Sequence, residues 1–246
     1  MTAQDDDPLT AGLAALAVDG PPGLLERIAA TWTRTPGPTC DLYIASTDRG
    51  VVYVRTSDAV HHDDAEFETL FHRRFARPLV RSGRSPDRLR LDLSRLSAFE
   101  REVLLAVLAI PRGQVRPYDW IGHQIGRPTE SDAIDTALTD NPIPVLVPCH
   151  RVINSDGTLG NYVFGRFAKR ALLEAEGTNL GEVSLLARLD IHYVASEVTG
   201  AVCFPTCPNA RRTKQAHRHG FPTVTDARAA GYRPCPACGP VPDEAG

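Results

Sequence analysis

Asn141-Pro142-Ile143-Pro144-Val145-Leu146-Val147-Pro148-Cys149-His150-Arg151-Val152 sets a thiol beside an imidazole where an apolar run ends. The run Ile143 to Val147 is apolar and β-branched, and Pro142 and Pro148 bound it. It reads as a short buried strand that stops where Cys149 begins. Cys149 then lies on a tight connection. A thiol becomes a strong nucleophile when a neighbouring base or cation favours its thiolate, and His150 and Arg151 follow directly. For an isolated Cys-His pair the competing reading is a buried, inert cysteine.

Upstream, Ser97-Ala98-Phe99-Glu100 is a capping box, and Phe99, Val103, Val107 and Ile110 recur at helical spacing until Pro111 and Gly113. A second helix is expected from Tyr118 to Ile125. Gly126-Arg127-Pro128 turns the chain into a third, from Glu130 to Thr139, and the pair reads as a helix-turn-helix. Thr129-Glu130-Ser131-Asp132 fits a further capping box with Asp132 at its third helical position. Nearer the N-terminus, apolar residues alternate from Cys40 to Arg55 about Asp48-Arg49-Gly50, a β-hairpin signal that puts Cys40 in the first strand as a core residue. After Gly20-Pro21-Pro22-Gly23, the positions Leu24, Leu25, Ile28, Ala29 and Trp32 make one face of a helix, so residues 1–37 are expected to form a helical arm.

The 246 residues carry a net charge of −3, which suits two small domains or one large one and does not advertise a nucleic-acid binder. No apolar run is long enough for a membrane span, and Asp5-Asp6-Asp7 near the start is unlike a signal peptide, so the expected location is cytoplasmic. Four of the six cysteines fall in Cys203-Phe204-Pro205-Thr206-Cys207 and Cys235-Pro236-Ala237-Cys238. Each pair offers two thiolates from one turn, and together Cys203, Cys207, Cys235 and Cys238 form a tetrahedral Zn²⁺ shell. A module this small needs the metal to fold. Residues 179–190 read as a linker and 191–240 as the zinc domain.

Asn141-Pro142, Pro148 to Val152, Gly157, Gly160-Asn161-Tyr162, Lys169 and Leu172-Leu173-Glu174-Ala175-Glu176-Gly177 fall in one familiar order. With Phe99-Glu100, Ile110-Pro111-Arg112-Gly113, Tyr118 and Ile125-Gly126-Arg127-Pro128, the chain resembles the O6-alkylguanine-DNA alkyltransferases from Pro38 to Gly177. The resemblance implies an α/β plus α architecture: a small RNase H-like α/β domain (38–95) and a helical alkyltransferase domain with helix-turn-helix and active-site loop (96–178). It implies that Cys149 accepts an alkyl group irreversibly, that His150 deprotonates it through a water, and that Glu176 orients the imidazole. Asn141 would fix the turn around the thiol and Tyr118 would protonate the leaving purine. Tyr162, Val163, Phe164, Arg151 and Asp132 would face the substrate. In that family the second helix of the helix-turn-helix enters the minor groove of double-stranded DNA and flips out the damaged guanine.

Two departures stand out. Asp132 occupies the position of an arginine that replaces the extruded base in the stack, and Glu130, Asp135 and Asp140 add further carboxylates to the same helix. Each well-placed acid facing phosphate costs ~1–3 kcal/mol. Val163 and Phe164 stand where the family has small residues, and Phe164 is read as a core side chain.

Around the cysteine pairs, Thr199-Gly200, Asn209-Ala210-Arg211-Arg212 and Ala229-Ala230-Gly231-Tyr232-Arg233-Pro234-Cys235 resemble the zinc domain of Ada-type proteins. There the first cysteine, here Cys203, also takes a methyl group from a DNA phosphotriester; a purely structural zinc knuckle is the competing reading. Arg211, Arg212, Lys214, Arg218 and Arg233, with His217 and His219 as surface residues, form a basic patch able to track phosphates, although Phe204 stands where that family has a basic residue. The expected function is single-turnover alkyl transfer from alkylated DNA to Cys149. Two alternatives stay open: a homologue redirected to a small alkylating or nitroso-type donor, and a non-catalytic damage-binding or zinc-sensing module.

Overall fold

The computed structural model describes residues 28–82 and 90–241. The expected helix face at Leu24 and Leu25 lies outside these residues. Trp32 does not extend it. Ala30–Thr35 forms strand β1, followed by β2 (Leu42–Thr47) and β3 (Gly50–Thr56), which pair antiparallel in sequence. Helix α1 (Asp64–Arg74) crosses to β4 (Leu79–Arg81), which lies parallel to β1 in the order β3-β2-β1-β4. The segment Thr31-Trp32-Thr33 is β-branched and aromatic, and sheet pairing on both sides overrides the helical spacing. Trp32, Tyr43 and Tyr53 stack around Phe67 of α1, making an aromatic core between helix and sheet. Cys40 precedes β2 and is half-buried, so it is not the core strand residue expected.

Helix α2 (Ala98–Leu108) starts at the expected capping box: Ser97 Oγ accepts from the Glu100 amide at 3.2 Å, and Glu100 Oε2 accepts from the Ser97 amide at 2.8 Å. Strand β5 (Arg116–Pro117) leads directly into α3 (Tyr118–Gln124), and α4 (Ser131–Thr139) completes the helix-turn-helix. The second capping box does not form. Glu130 occupies the cap position without a side-chain hydrogen bond, and Asp132 sits exposed in the first turn.

The apolar run after Asn141 is a compact loop, not a strand. Three prolines remove donors that a ladder requires, and Val145 holds a φ of +73°, foreign to extended backbone. Its closing contacts are local, including the Val147 amide on the Ile143 carbonyl at 2.9 Å. A 3₁₀ turn, Cys149–Arg151, then feeds β6 (Val152–Ile153), which pairs parallel with β5. Helix α5 (Gly165–Ala175) ends beside Glu176. The stretch expected to be a linker with helix-forming residues contains helix α6 (Leu180–Arg188), capped by Asn179 and anchored through Leu180 and Val183.

The C-terminal module is a second sheet, β10-β8-β7-β9, built from β7 (Tyr193–Ser196), β8 (Ala201–Cys203), β9 (Arg218–Phe221) and β10 (Arg233–Pro234). Helix α7 (Pro208–Arg212) follows the first cysteine pair, and α8 (Val224–Ala229) precedes the second. Its buried residues are continuous with the core around α2, α3 and Cys149. No helix among the described residues is long and apolar enough to cross a membrane.

Candidate active site

The proline-rich loop holds Cys149 through one buried amide. Asn141 Nδ2 donates to Cys149 Sγ at 3.2 Å and to the Val147 carbonyl at 3.3 Å, while its Oδ1 accepts from the Ile143 amide at 2.9 Å. The first domain buttresses this loop, because the Val54 amide donates to the Pro142 carbonyl and Arg74 Nη2 to the Asp140 carbonyl, each at 2.8 Å. Cys149 is 4% exposed. Burial pushes its thiol up to about 11, against the pull of the Asn141 amide and the Lys169 ammonium. The resting group is a neutral thiol awaiting a base.

His150 supplies the adjacent imidazole, 1% exposed. Its Nε2 lies 3.0 Å from Glu176 Oε1, while its Nδ1 is buried without a hydrogen-bond partner among the described residues. Burial lowers the imidazole's pKa and Glu176 raises it, with the net shift downward. Burial also acts to raise Glu176, but hydrogen bonds from His150 and Arg151 prevail and hold it at about 2. A charged carboxylate at Nε2 makes that nitrogen the N–H of the neutral ring, so the lone pair belongs to Nδ1.

Arg151, expected to face the substrate, turns its guanidinium onto Glu176. Its Nε reaches Glu176 Oε2 at 2.9 Å, its Nη2 reaches Oε1 at 2.6 Å, and its Nη1 donates to the Ile110 carbonyl at 2.6 Å. The guanidinium fork is spent on fixing the carboxylate. Gly113 closes the same corner: its amide lies 3.4 Å from Glu176 Oε2, and with φ at +76° a Cβ there would come 3.0 Å from the Glu176 carbonyl.

Lys169, counted above only as a match in spacing, is fully buried and donates to the Asn161 carbonyl at 2.9 Å. Burial lowers it to about 8, against Cys149 and Asp135. The sequence signal for Lys169 is the resemblance in spacing; its burial on the helix that ends at Glu176 is displayed by the fold. Tyr118 begins α3; burial first, then the Asp135 carboxylate, raises its phenol, which keeps its proton at neutral pH. Tyr162 stands edge-on to His150 at 6.1 Å and to Phe164 at 5.6 Å. Val163 and Phe164 are half-buried, so Phe164 is not a core side chain; it lies 5.9 Å from the Arg55 guanidinium of β3. Asp135, Asp140, Asn161, Tyr162 and Arg166 line a hollow of about 480 Å³ on this side.

The four C-terminal sulfurs all lie within 4.8 Å of one another, and every one of these cysteines is buried. A tetrahedral Zn–S shell places sulfurs about 3.8 Å apart, so four clustered thiols fit one Zn²⁺. Asn209 adds a donor, its Nδ2 3.3 Å from Cys235 Sγ. The basic patch is smaller than the sequence suggested. Arg218 binds Glu182 at 3.1 Å and two carbonyls, and His217 and His219 both meet Glu197, leaving Arg211, Arg212, Lys214 and Arg233 exposed.

Residues 98–178 match the family model described as 6-O-methylguanine DNA methyltransferase, DNA binding domain, and residues 187–241 match the metal binding domain of Ada. A methylated-DNA–protein-cysteine methyltransferase of Saccharolobus islandicus is 36% identical over 146 residues, covering 56% of this chain and 90% of that protein. The chain belongs to the methylated-DNA–protein-cysteine methyltransferase family. Another member, from Mycobacterium bovis, is 48% identical over 86 residues, 35% of this chain and 52% of its own. Among solved methyltransferase structures, the Mycobacterium tuberculosis O6-methylguanine methyltransferase aligns over 60% of this chain and 92% of its own at 28% identity, with a TM-score of 0.41.

Proposed function

We propose that the protein repairs double-stranded DNA by moving an alkyl group from O6 of guanine onto Cys149, once per molecule. The observation that carries this reading is a buried Cys149 held by Asn141 next to a histidine whose Nε2 is committed to Glu176 and whose Nδ1 has no partner among the described residues. His150 Nδ1 takes the thiol proton through a water, and Lys169 and the Asn141 amide favour the thiolate so formed. The sulfur attacks the alkyl carbon, the carbon–oxygen electron pair leaves on the purine, and Tyr118 lends the purine a proton that His150 restores. In sum the thiol hydrogen and the alkyl group change places. Glu176 stabilises the transient imidazolium, and Arg151 positions Glu176. Tyr162, Val163 and Phe164 form the rim against which the extruded base packs.

DNA as the partner is supported by the matched DNA-binding domain and by the family's methylated-DNA substrates. The helix-turn-helix α3–α4 is the element that would meet it, with Asp132 on its exposed first turn. Zn²⁺, held by Cys203, Cys207, Cys235 and Cys238, supplies a structural cross-link in the C-terminal module. The strand order β3-β2-β1-β4 with α1 as crossover supports an RNase H-like reading of the first domain.

A second reading is favoured by the carboxylates that Glu130, Asp132, Asp135 and Asp140 place on and beside α4: the same thiol acting on a small alkyl donor. Incubation with excess duplex bearing radiolabelled O6-methylguanine separates the two. Incorporation is expected to plateau at one methyl per chain. No incorporation, together with efficient labelling by a small donor, selects the second reading.

A further inference from the structure

The C-terminal module is not tethered loosely to the alkyl-acceptor domain. Thr206, inside the first cysteine pair, accepts from the Val115 amide at 3.0 Å and lies 3.4 Å from the Val115 carbonyl. Trp120 of α3 donates its indole N–H to the Gly239 carbonyl, just past the last cysteine, at 3.0 Å. Between these anchors lies Arg116, 1% exposed, with its guanidinium 4.8 Å from the centroid of Phe204 and 5.6 Å from that of Trp120. Its Nη atoms donate to the Val115 carbonyl and to Gln114 Oε1, both neutral acceptors, and its Nε has no partner among the described residues. A fully buried guanidinium with no carboxylate partner among the described residues calls for another anion. Phe204 follows Cys203 and Gly239 follows Cys238, so Arg116 is packed against the four buried cysteines and interacts electrostatically with all of them; four thiolates on one dication would carry two negative charges there.

We propose that Arg116 is the counter-cation of the zinc–thiolate centre, supplied across the domain boundary, and that it makes this centre a clamp on the alkyl-acceptor site instead of a second methyl acceptor. Two consequences follow from charge and access. A cation beside a zinc-bound thiolate withdraws the electron density that would attack carbon. Cys203 is also 1% exposed, which leaves a phosphotriester no approach. The clamp acts on chemistry through β5. Arg116 and Pro117 pair with Val152 and Ile153, directly after Cys149–Arg151, and Tyr118 follows Pro117 at the start of α3. The zinc centre therefore holds both the strand behind the thiol and the helix that presents the phenol.

The test uses the full-length zinc-loaded protein, with Arg116→Met, Arg116→Lys and Thr206→Val as variants. Each is exposed separately to a duplex carrying a methyl phosphotriester and to methyl iodide, then digested for peptide mass mapping; zinc is measured on the same samples. With methyl iodide, an S–C bond forms at a thiolate as iodide leaves, so reaction at Cys203 converts one zinc ligand to a thioether.

In the parent protein Cys203 stays unmethylated by the duplex. Arg116→Met is expected either to raise Cys203 methylation by methyl iodide at least tenfold or to lose zinc, and Arg116→Lys to restore the parent behaviour in large part. Thr206→Val, which leaves all four ligands in place, is expected to raise hydrogen exchange of residues 114–124 by an order of magnitude. Stoichiometric methylation of Cys203 by the phosphotriester duplex overturns the proposal. So does an Arg116→Met protein with parental zinc content, Cys203 reactivity and exchange.

Discussion

His150 Nε2 and Glu176 Oε1 stand 3.0 Å apart, and the same carboxylate receives two guanidinium nitrogens of Arg151. These contacts hold Glu176 at about 2, below its ordinary 4.5. A carboxylate whose folded value is depressed stabilises the fold above its unfolded value and loses that contribution as pH falls toward the folded one. Ionised Glu176 therefore stabilises the fold at neutral pH, and this contribution is lost between about pH 4.5 and pH 2. Urea unfolding across this window is expected to show the decline in the parent protein, with Glu176→Gln markedly flatter. Parallel curves contradict the assignment.

A thiol pushed up to about 11 is a poor nucleophile toward reagents that arrive without a base. Iodoacetamide labelling of Cys149 is expected to be slow at pH 7 and to rise about tenfold per pH unit toward pH 11. Transfer from an O6-methylguanine duplex, in which His150 takes the proton, should be far flatter between pH 7 and 9. Equal pH slopes for the two reactions remove His150 from the role of base.

Asn141 serves the sulfur, the Val147 carbonyl and the Ile143 amide at once. Asn141→Ala leaves buried backbone groups unsatisfied, at a cost of ~2–3 kcal/mol. Denaturant titration checks the stability loss, and single-turnover transfer is expected to slow with it. Unchanged stability shows that the loop does not depend on this amide.

Parts of this molecule were legible because the signal is local. The capping box at Ser97, the helix-turn-helix about Gly126 and the two cysteine pairs each depend on residues close in sequence. Trp32 has helical spacing in the sequence, yet its strand exists through pairing with Ala45 and Arg81, partners that spacing alone does not reveal. Residues 143–147 have the composition of a strand, yet their prolines and Asn141 select a loop. The roles of Arg151 and Thr206 are set by groups 25 and 91 positions away, and those of Lys169 and Arg116 depend on their burial, so only the folded chain displays them.

Asp132 is exposed on the first turn of α4, where the family resemblance places an arginine. Asp132→Arg removes one repulsion and adds a cation at the position the resemblance places in the base stack. Affinity for a duplex is expected to rise about tenfold at low salt, with the salt dependence steepening by about one unit. Fluorescence anisotropy from 50 to 200 mM salt measures both, and an unchanged slope places the DNA elsewhere.

The central claim is that Cys149 is the alkyl acceptor. Peptide-mapped mass spectrometry after reaction with a stoichiometric O6-methylguanine duplex tests it most directly, comparing the parent protein with Cys149→Ala and Glu176→Gln. The account predicts one methyl group on Cys149, none anywhere in Cys149→Ala, and transfer slowed by about 10²-fold in Glu176→Gln. A methyl group found on another cysteine, or an unmodified Cys149 after the duplex has lost its lesion, contradicts it.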